Sequence, residues 1–412
     1  MANTTITPDV IAREALMQLE NNVVMGRCVH RDYKKEWEGT KKGDTVRIRR
    51  PVKFDVTDGE VATIQDVEEA STNIVIDQRK HVSWKFSTKE LTLDIEDYSE
   101  RYIKPACIAL ANNVDRSLCG LYDDVFNWVG TPGQTINSYD DFARGPERLD
   151  LMAVPQGDRH SVLEPRDHWS LAGSQTALFF DRIGQPAYRK GSLGTIGNVD
   201  TYMDQNIRSH TTGAFGGTPL VNGANQNVAY LSANAIRWSQ TLVTDGWPNS
   251  TAILKAGDVF TIAGVNAVNP VPGESVKDDT GFEQQFVVLD DVSSNGTGQA
   301  TLTISPPIIT SGPQQTVSAA PADNAAITPL GSAATAYRQN LTFHKNAFAL
   351  VMCPLVMPDD NVFKARESKN GYSIRVIKWY DGTNDYEAIR LDILYGVKTL
   401  YPDLATRHSG SP

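Results

Sequence analysis

Cysteine is scarce and unpatterned in this chain. Cys28, Cys107, Cys119 and Cys353 are its only four, and none forms a CxxC pair. That spacing favours small buried apolar residues in a protein folded in a reducing cytoplasm over a metal or disulfide role. No stretch reaches the roughly 20 apolar residues that span a bilayer. The opening MANTTITPDVIAREAL has neither the basic start nor the apolar run of a signal peptide, so folding in the cytosol and no membrane partner are expected. Lysine and arginine number 39 against 49 acidic residues, for a net charge of −10, and form no basic block. A dedicated nucleic-acid binder, whose affinity rests on phosphate contacts, is therefore disfavoured. A surface that merely lines a space holding DNA is not.

Catalytic signatures are missing as well. There is no GxxxxGK[ST], and Gly191, Gly194 and Gly197 do not make GxGxxG, so no phosphate-cradling loop is expected. The seven histidines contain no HExxH, and His160 and His168 stand eight apart, which fits no metal-ligand spacing. No GxSxG elbow occurs. Asp158, His160 and Ser161 are the right types for a triad, but triads assemble from distant segments, so their adjacency carries no weight. The carboxylate pairs Glu68–Glu69, Asp278–Asp279 and Asp290–Asp291 read as solvated turns rather than general acids or calcium ligands. The expectation is a non-enzyme without cofactor or metal.

What the sequence does contain is ordinary globular composition, 40% hydrophobic and 21% charged, over 412 residues. That length supports two or three packed cores. Thr7 and Pro8 suit a helix start, with Ile11, Ala15, Leu16 and Leu19 on one face. Between 44 and 95 the period changes to two. Val46, Ile48, Val52, Phe54 and Val56 form one alternating run, and Ile74, Ile76, Val82, Trp84 and Phe86 form another. Two such runs predict a long half-buried hairpin, which needs another surface to cover its apolar face. From 99 to 126, Ile103, Cys107, Leu110, Val114, Leu118, Leu121 and Val125 make a long helical stripe.

Beyond it, YDDFARGPERLDLMAV and SQTALFFDRI read as helices, and SVLEP and NVDTYMDQNI as strands. The glycine- and asparagine-rich residues 211–227 read as a flexible loop. Residues 236–335 lose helical periodicity and alternate short β runs with turns, which predicts a small inserted β domain. After 336, NAFALVMCPLV reads as a buried strand or short helix, and YSIRVIKWY and DYEAIRLDILYG as two strands joined at Asp381 and Gly382.

The order of these elements, with IALANNVDRSLCGLY, GDVFTIAGVNAVNP, TLTISPPI, NLTFHKNAFALVMCPL, SIRVIKWYDG and RLDILYGVKTLYPDLATR, resembles the major capsid proteins of tailed double-stranded DNA bacteriophages. The chain is most similar to the Salmonella podophage type, whose HK97-like α+β fold carries an inserted β domain. The resemblance implies an N-terminal arm (1–40), an extended hairpin loop (41–96), a spine helix with the first part of the peripheral and axial domains (97–235), the insertion (236–335) and the remainder of those domains (336–412). It also implies pentamers and hexamers of an icosahedral virion shell, guided by a scaffolding protein. A portal protein, packaged double-stranded DNA without sequence-specific binding and decoration proteins are the further partners it suggests.

On the hairpin, Arg47, Arg49, Lys53, Arg79 and Lys85 are the candidate inter-subunit contacts, with Arg47, Arg49 and Arg79 expected to meet carboxylates of a neighbour. Lys53 and Lys85 stand where a lysine–asparagine crosslink of such shells would need its lysine. Two other classes stay open: a phage tail or adhesin component, in which the β insert would be a carbohydrate- or receptor-binding module, and an enzyme with an unfamiliar site. The insert holds Trp238, Trp247 and Phe260 but no aromatic cluster that the sequence identifies as exposed.

Overall fold

The computed structural model describes residues 8–31, 45–57, 59–60, 64–65, 69–87, 99–175, 193–231, 236–271, 277–359 and 363–412. The chain divides into two compact units.

The first unit takes residues up to Val46, Ile74–Cys119 and Phe348–Lys398. Its helix Pro8–Asn22 buries Ile11, Ala12, Ala15, Leu16 and Leu19, the face read from the i, i+4 spacing. That face packs on the helix Lys104–Cys119 and on the strands Phe363–Lys369 and Tyr372–Asp381. The long helix is shorter than its stripe. A wider turn, Ser99–Ile103, precedes it and a tighter one, Gly120–Asp124, follows, because Gly120 weakens the helix where the stripe would continue. Within the helix, fully buried Asp115 accepts the Val24 and Gly26 N–H groups at 2.6 and 3.0 Å. It satisfies the donors at the start of the short helix Met25–Cys28.

The hairpin expected over 41–96 does not form as one ribbon. Its first strand is Thr45–Arg49, paired with Ser71–Val75. Pro51 removes a ladder donor, and Phe54 and Val56 beyond it are exposed. The second run becomes the strand Gln78–Ser87, which pairs antiparallel with Tyr386–Thr399, Trp84 opposite Ile389 and Val82 opposite Leu391. That pairing satisfies the strand's backbone within the same chain, while Val82, Trp84 and Phe86 stay half-buried. Tyr386–Thr399 also pairs with Tyr372–Asp381, which pairs with Phe363–Lys369. These are the two C-terminal strands foreseen in the sequence, joined by a tight acidic turn.

The second unit takes Arg47–Asn73, Gly120–Ala347 and Thr399–Pro412. One six-stranded sheet runs Trp128–Val129, Ala405–His408, Asn340–His344, Arg159–Leu163, Val199–Met203 and Thr195–Ile196. The helices Tyr139–Leu151 and Pro165–Gln175 contribute Phe142, Leu171 and Ala172 to a core with Leu163, Ile196 and Val199. The helix read in SQTALFFDRI lies largely outside the described residues.

A second six-stranded sheet is antiparallel, in the order Ile327–Pro329, Val259–Val268, Asp279–Val288, Ala300–Ser305, Gln240–Asp245, Leu220–Val221. Its own core includes Leu242, Phe260, Ile262, Phe286, Val288, Leu302 and Ile304. It recruits Leu220–Val221 from the stretch read as a flexible loop. That stretch is pinned instead: the Gln226 side chain donates to Asn222, Gly223 and Val243 carbonyls and accepts the Val243 N–H. Among the described residues, no helix is long and apolar enough to cross a membrane.

Candidate assembly surface

Alternation along Thr45–Arg49 puts Val46 and Ile48 inside and leaves Arg47 and Arg49 exposed. Arg49 already meets a carboxylate of its own chain, with Nη1 3.3 Å from Glu69 Oε2. Both groups are more than half exposed, so the pair is worth little by itself. Arg79 and Lys85 occupy the exposed positions of Gln78–Ser87, and the Lys85 ammonium lies 4.8 Å from the Tyr386 ring centroid. Lys53 is half-buried at the rim of a cavity. Arg47, Arg49 and Lys53 belong to the second unit, and Arg79 and Lys85 to the first.

The cavity, about 700 Å³, lies within the second unit. Arg49, Arg50, Lys53, Tyr230, Trp238, Gln284, Tyr401 and Asp403 are among its walls. The Arg50 guanidinium is held between Trp238 and Tyr401, 5.2 and 5.5 Å from their ring centroids, and its Nη2 donates to the Leu400 carbonyl at 3.0 Å. Burial lowers the Arg50 pKa and raises that of the Asp403 carboxyl. Nearby Lys277 is pulled down to about 8, first by burial and then by the positive charge of Lys53. The chain is acidic overall, and this concavity collects its cations.

A third arrangement ties the C-terminal strand to the β-rich segment. Arg407 is fully buried. It donates from Nε to the Val125 carbonyl (2.9 Å) and from Nη1 to the Gly257 carbonyl (2.7 Å) and Gln339 Oε1 (3.3 Å). Tyr122 and Trp128 flank its guanidinium, and burial draws its pKa down to about 10. Gly257 has φ +96°, and a Cβ there would stand 2.8 Å from Asp123 Oδ1, so glycine is required. Beside it, His210 bridges Tyr122 (3.1 Å) and Asp258 (2.7 Å), and Asp258 also accepts the Gly213 and Lys255 N–H groups.

The residues with catalytic side chains do not combine. His160 and Ser161 are successive on one strand and face opposite sides. Ser161 Oγ pairs with Thr342 Oγ1 at 3.0 Å, while His160 Nδ1 is 3.9 Å from Asp200. Asp290 binds Arg237 through both oxygens, Asp291 accepts the Ala256 N–H, and Asp279 accepts the Gly281 N–H and the Asn266 side chain. No group of potential metal ligands occurs among the described residues.

The family described as P22 coat protein, gene protein 5, matches residues 1–407. The chain belongs to the P22 coat protein family. It is a structural major capsid protein, a many-copy component of a phage virion shell, and not an enzyme. A major capsid protein of Acyrthosiphon pisum secondary endosymbiont phage 1 is 25% identical over 290 residues, covering 69% of this chain and 68% of that one. Two solved structures are also similar. One is from Mycobacterium phage Che8 (TM-score 0.48, 14% identity, 93% and 90% of the two chains). The other is the capsid of Ralstonia phage GP4 (TM-score 0.45, 8% identity, 93% and 88%). The fold mixes helices and sheets, the α+β class expected from the sequence.

Sequence reasoning missed Arg50, Tyr401, Asp403 and Arg407, and named Trp238 without its place in the cavity wall. An arginine in each of IRRPV and LATRH was visible, but nothing in the sequence separates a buried cation from a solvated one. Only the register that seats Ala405–His408 between two strands marks Arg407 as interior.

Proposed function

We propose that this coat subunit forms pentamers and hexamers of an icosahedral head that encloses double-stranded DNA. A scaffolding protein guides assembly in the host cytoplasm, the DNA enters through a portal, and the shell expands on filling. Residues 1–40 serve as the arm, 41–96 as the extended loop, 97–235 as the spine with the first part of the peripheral and axial domains, 236–335 as the inserted domain, and 336–412 as the remainder. The observation that supports the reading is the match to the coat family along nearly the whole chain.

Expression with and without neighbouring phage genes, followed by sucrose gradients and negative-stain electron microscopy, tests it. Closed shells or polyheads tens of nanometres across are expected. A small oligomer that persists beside a scaffolding protein overturns the reading.

Arg47, Arg49 and Arg79 then meet carboxylates of an adjacent subunit, with Lys53 and Lys85 on the same contact region. Exposed charges of this kind set register and encounter rate more than affinity. The double variant Arg49→Glu/Arg79→Glu is expected to give a folded subunit, by circular dichroism, that forms few shells. Shells at wild-type yield remove these two residues from the interface.

A further inference from the structure

The turn between Tyr372–Asp381 and Tyr386–Thr399 is acidic, with Asp381 half-buried and Asp385 exposed. Asp381 accepts the Thr383 N–H and the Asn384 side-chain N–H, both at 2.9 Å. Those bonds hold its carboxyl down at about 2. The Tyr380 hydroxyl donates to Asp385 at 2.8 Å, and the Tyr380 ring is 61% exposed. Tyr380 and Asp381 are paired with Glu387 and Tyr386 of the next strand, which closes the turn as a hairpin end. The result is an ordered knob with two carboxylates and a large exposed aromatic ring. Because its hydrogen bonds already fix its shape, docking it would cost little conformational entropy. An exposed tyrosine is also the kind of side chain that dominates interfaces.

The cavity of the second unit has the complementary chemistry. Its volume of about 700 Å³ accommodates a tyrosine and an aspartate side chain. Arg49, Arg50 and Lys53 line it, Lys277 lies close enough to feel Lys53, and the Trp238 and Tyr401 rings form part of its wall. Glu69 pairs with the outermost of these cations, Arg49, while Asp403 in the wall acts on Lys53 and Arg50 and Asp55 acts on Lys277, which leaves the four cations only slightly in excess of their three carboxylates. An acidic knob would find cations and aromatic faces together there. Between copies of a chain with net charge −10, such a cationic recess would also orient their approach.

We propose that the Tyr380–Tyr386 turn of one copy docks into the Arg50–Trp238–Tyr401 cavity of a second copy. Asp381 and Asp385 face Lys53 and Arg49, and Tyr380 enters against the rings. The proposal rests on the shell reading and names one contact by which copies hold together. A contact between different patches of two copies is heterologous and propagates around a ring or across a shell.

The test uses assembled wild-type shells and the full-length chain. A zero-length carbodiimide crosslinker applied to shells is expected to give a dimer band on a denaturing gel. Mass spectrometry of that band should join the Lys53 peptide to the Asp381–Asp385 peptide. The reversals Asp385→Lys and Lys53→Glu should each cut shell yield roughly tenfold while leaving the circular dichroism of the subunit unchanged. Combined, the two reversals should restore yield, because the charges are exchanged across the same contact. A link confined to the monomer band, no link at all, single variants that assemble like wild type, or a double variant no better than the singles each overturn the docking. In all those outcomes wild-type shells still form. Failure of the shell reading is distinct: wild-type chain that never assembles.

Discussion

His408 shows how a single side chain couples this subunit to pH. It is almost completely buried on the C-terminal strand, with Nε2 2.8 Å from the Asp141 carbonyl and Nδ1 3.3 Å from Thr342 Oγ1. The first contact requires the proton on Nε2. Burial holds the pKa down to about 4 from 6.5, so the neutral ring is the form the fold accepts. The folded-state pKa is depressed, and stability is therefore complete above pH 6.5. It is lost as pH falls from there toward about 4, by up to roughly 3 kcal/mol. Urea midpoints of the subunit between pH 7 and pH 4 are expected to fall more steeply for wild type than for His408→Gln. Parallel curves would refute the assignment. Raised carboxyl pKa values, as at Asp167, Asp204 and Asp403, act in the opposite direction, so the wild-type minus variant difference is the quantity to read. Arg407, next along the strand, was legible in the sequence as an arginine but not as a buried one. Burial of a guanidinium depends on carbonyls brought to it from Val125 and Gly257.

Elements were easier to read than their partners. The alternation in Thr45–Arg49 and Gln78–Ser87, the stripe along Lys104–Cys119 and the paired strands near the C-terminus all follow from local periodicity. Periodicity tells which residues of a strand face inward but not which strand lies alongside. Proximity in sequence suggested that the two early runs pair along their length, whereas Thr45–Arg49 pairs with Ser71–Val75 and Gln78–Ser87 with Tyr386–Thr399. Leu220–Val221 was hidden in a glycine-rich stretch because a two-residue edge strand carries no period. The cavity was invisible for the same reason, being walled by side chains from well-separated segments. A close approach limits the long C-terminal strand at Gly396, where an added Cβ would lie 2.3 Å from the Val75 carbonyl oxygen. Backbone cannot give way there as a flexible side chain would. Gly396→Ala is expected to lower subunit stability by at least about 2 kcal/mol, read from denaturant midpoints. A shift under half that amount would mean the segment at Val75 moves freely.

At the scale of the whole molecule, both units depend on late residues. Ala405–His408 is flanked by Trp128–Val129 and Asn340–His344, and Tyr386–Thr399 by Gln78–Ser87 and Tyr372–Asp381. A chain stopped after residue 400 is therefore expected to remain insoluble, or to sediment as unfolded monomer, even beside wild-type subunits. Its recovery inside wild-type shells would show that the last strand is dispensable.

The long reach of these pairings also sets the timing of synthesis. Gln78–Ser87 leaves the ribosome about 300 residues before its partner strand does, and contacts this distant in sequence slow folding and prolong exposure of apolar edges. Each nascent chain must wait with an open strand until translation is almost finished. The same delay acts as a proofreading step. A prematurely terminated subunit lacks the strands that close both sheets, so it never acquires an assembly-competent surface. A shell built from many copies is thereby protected from its own truncated products.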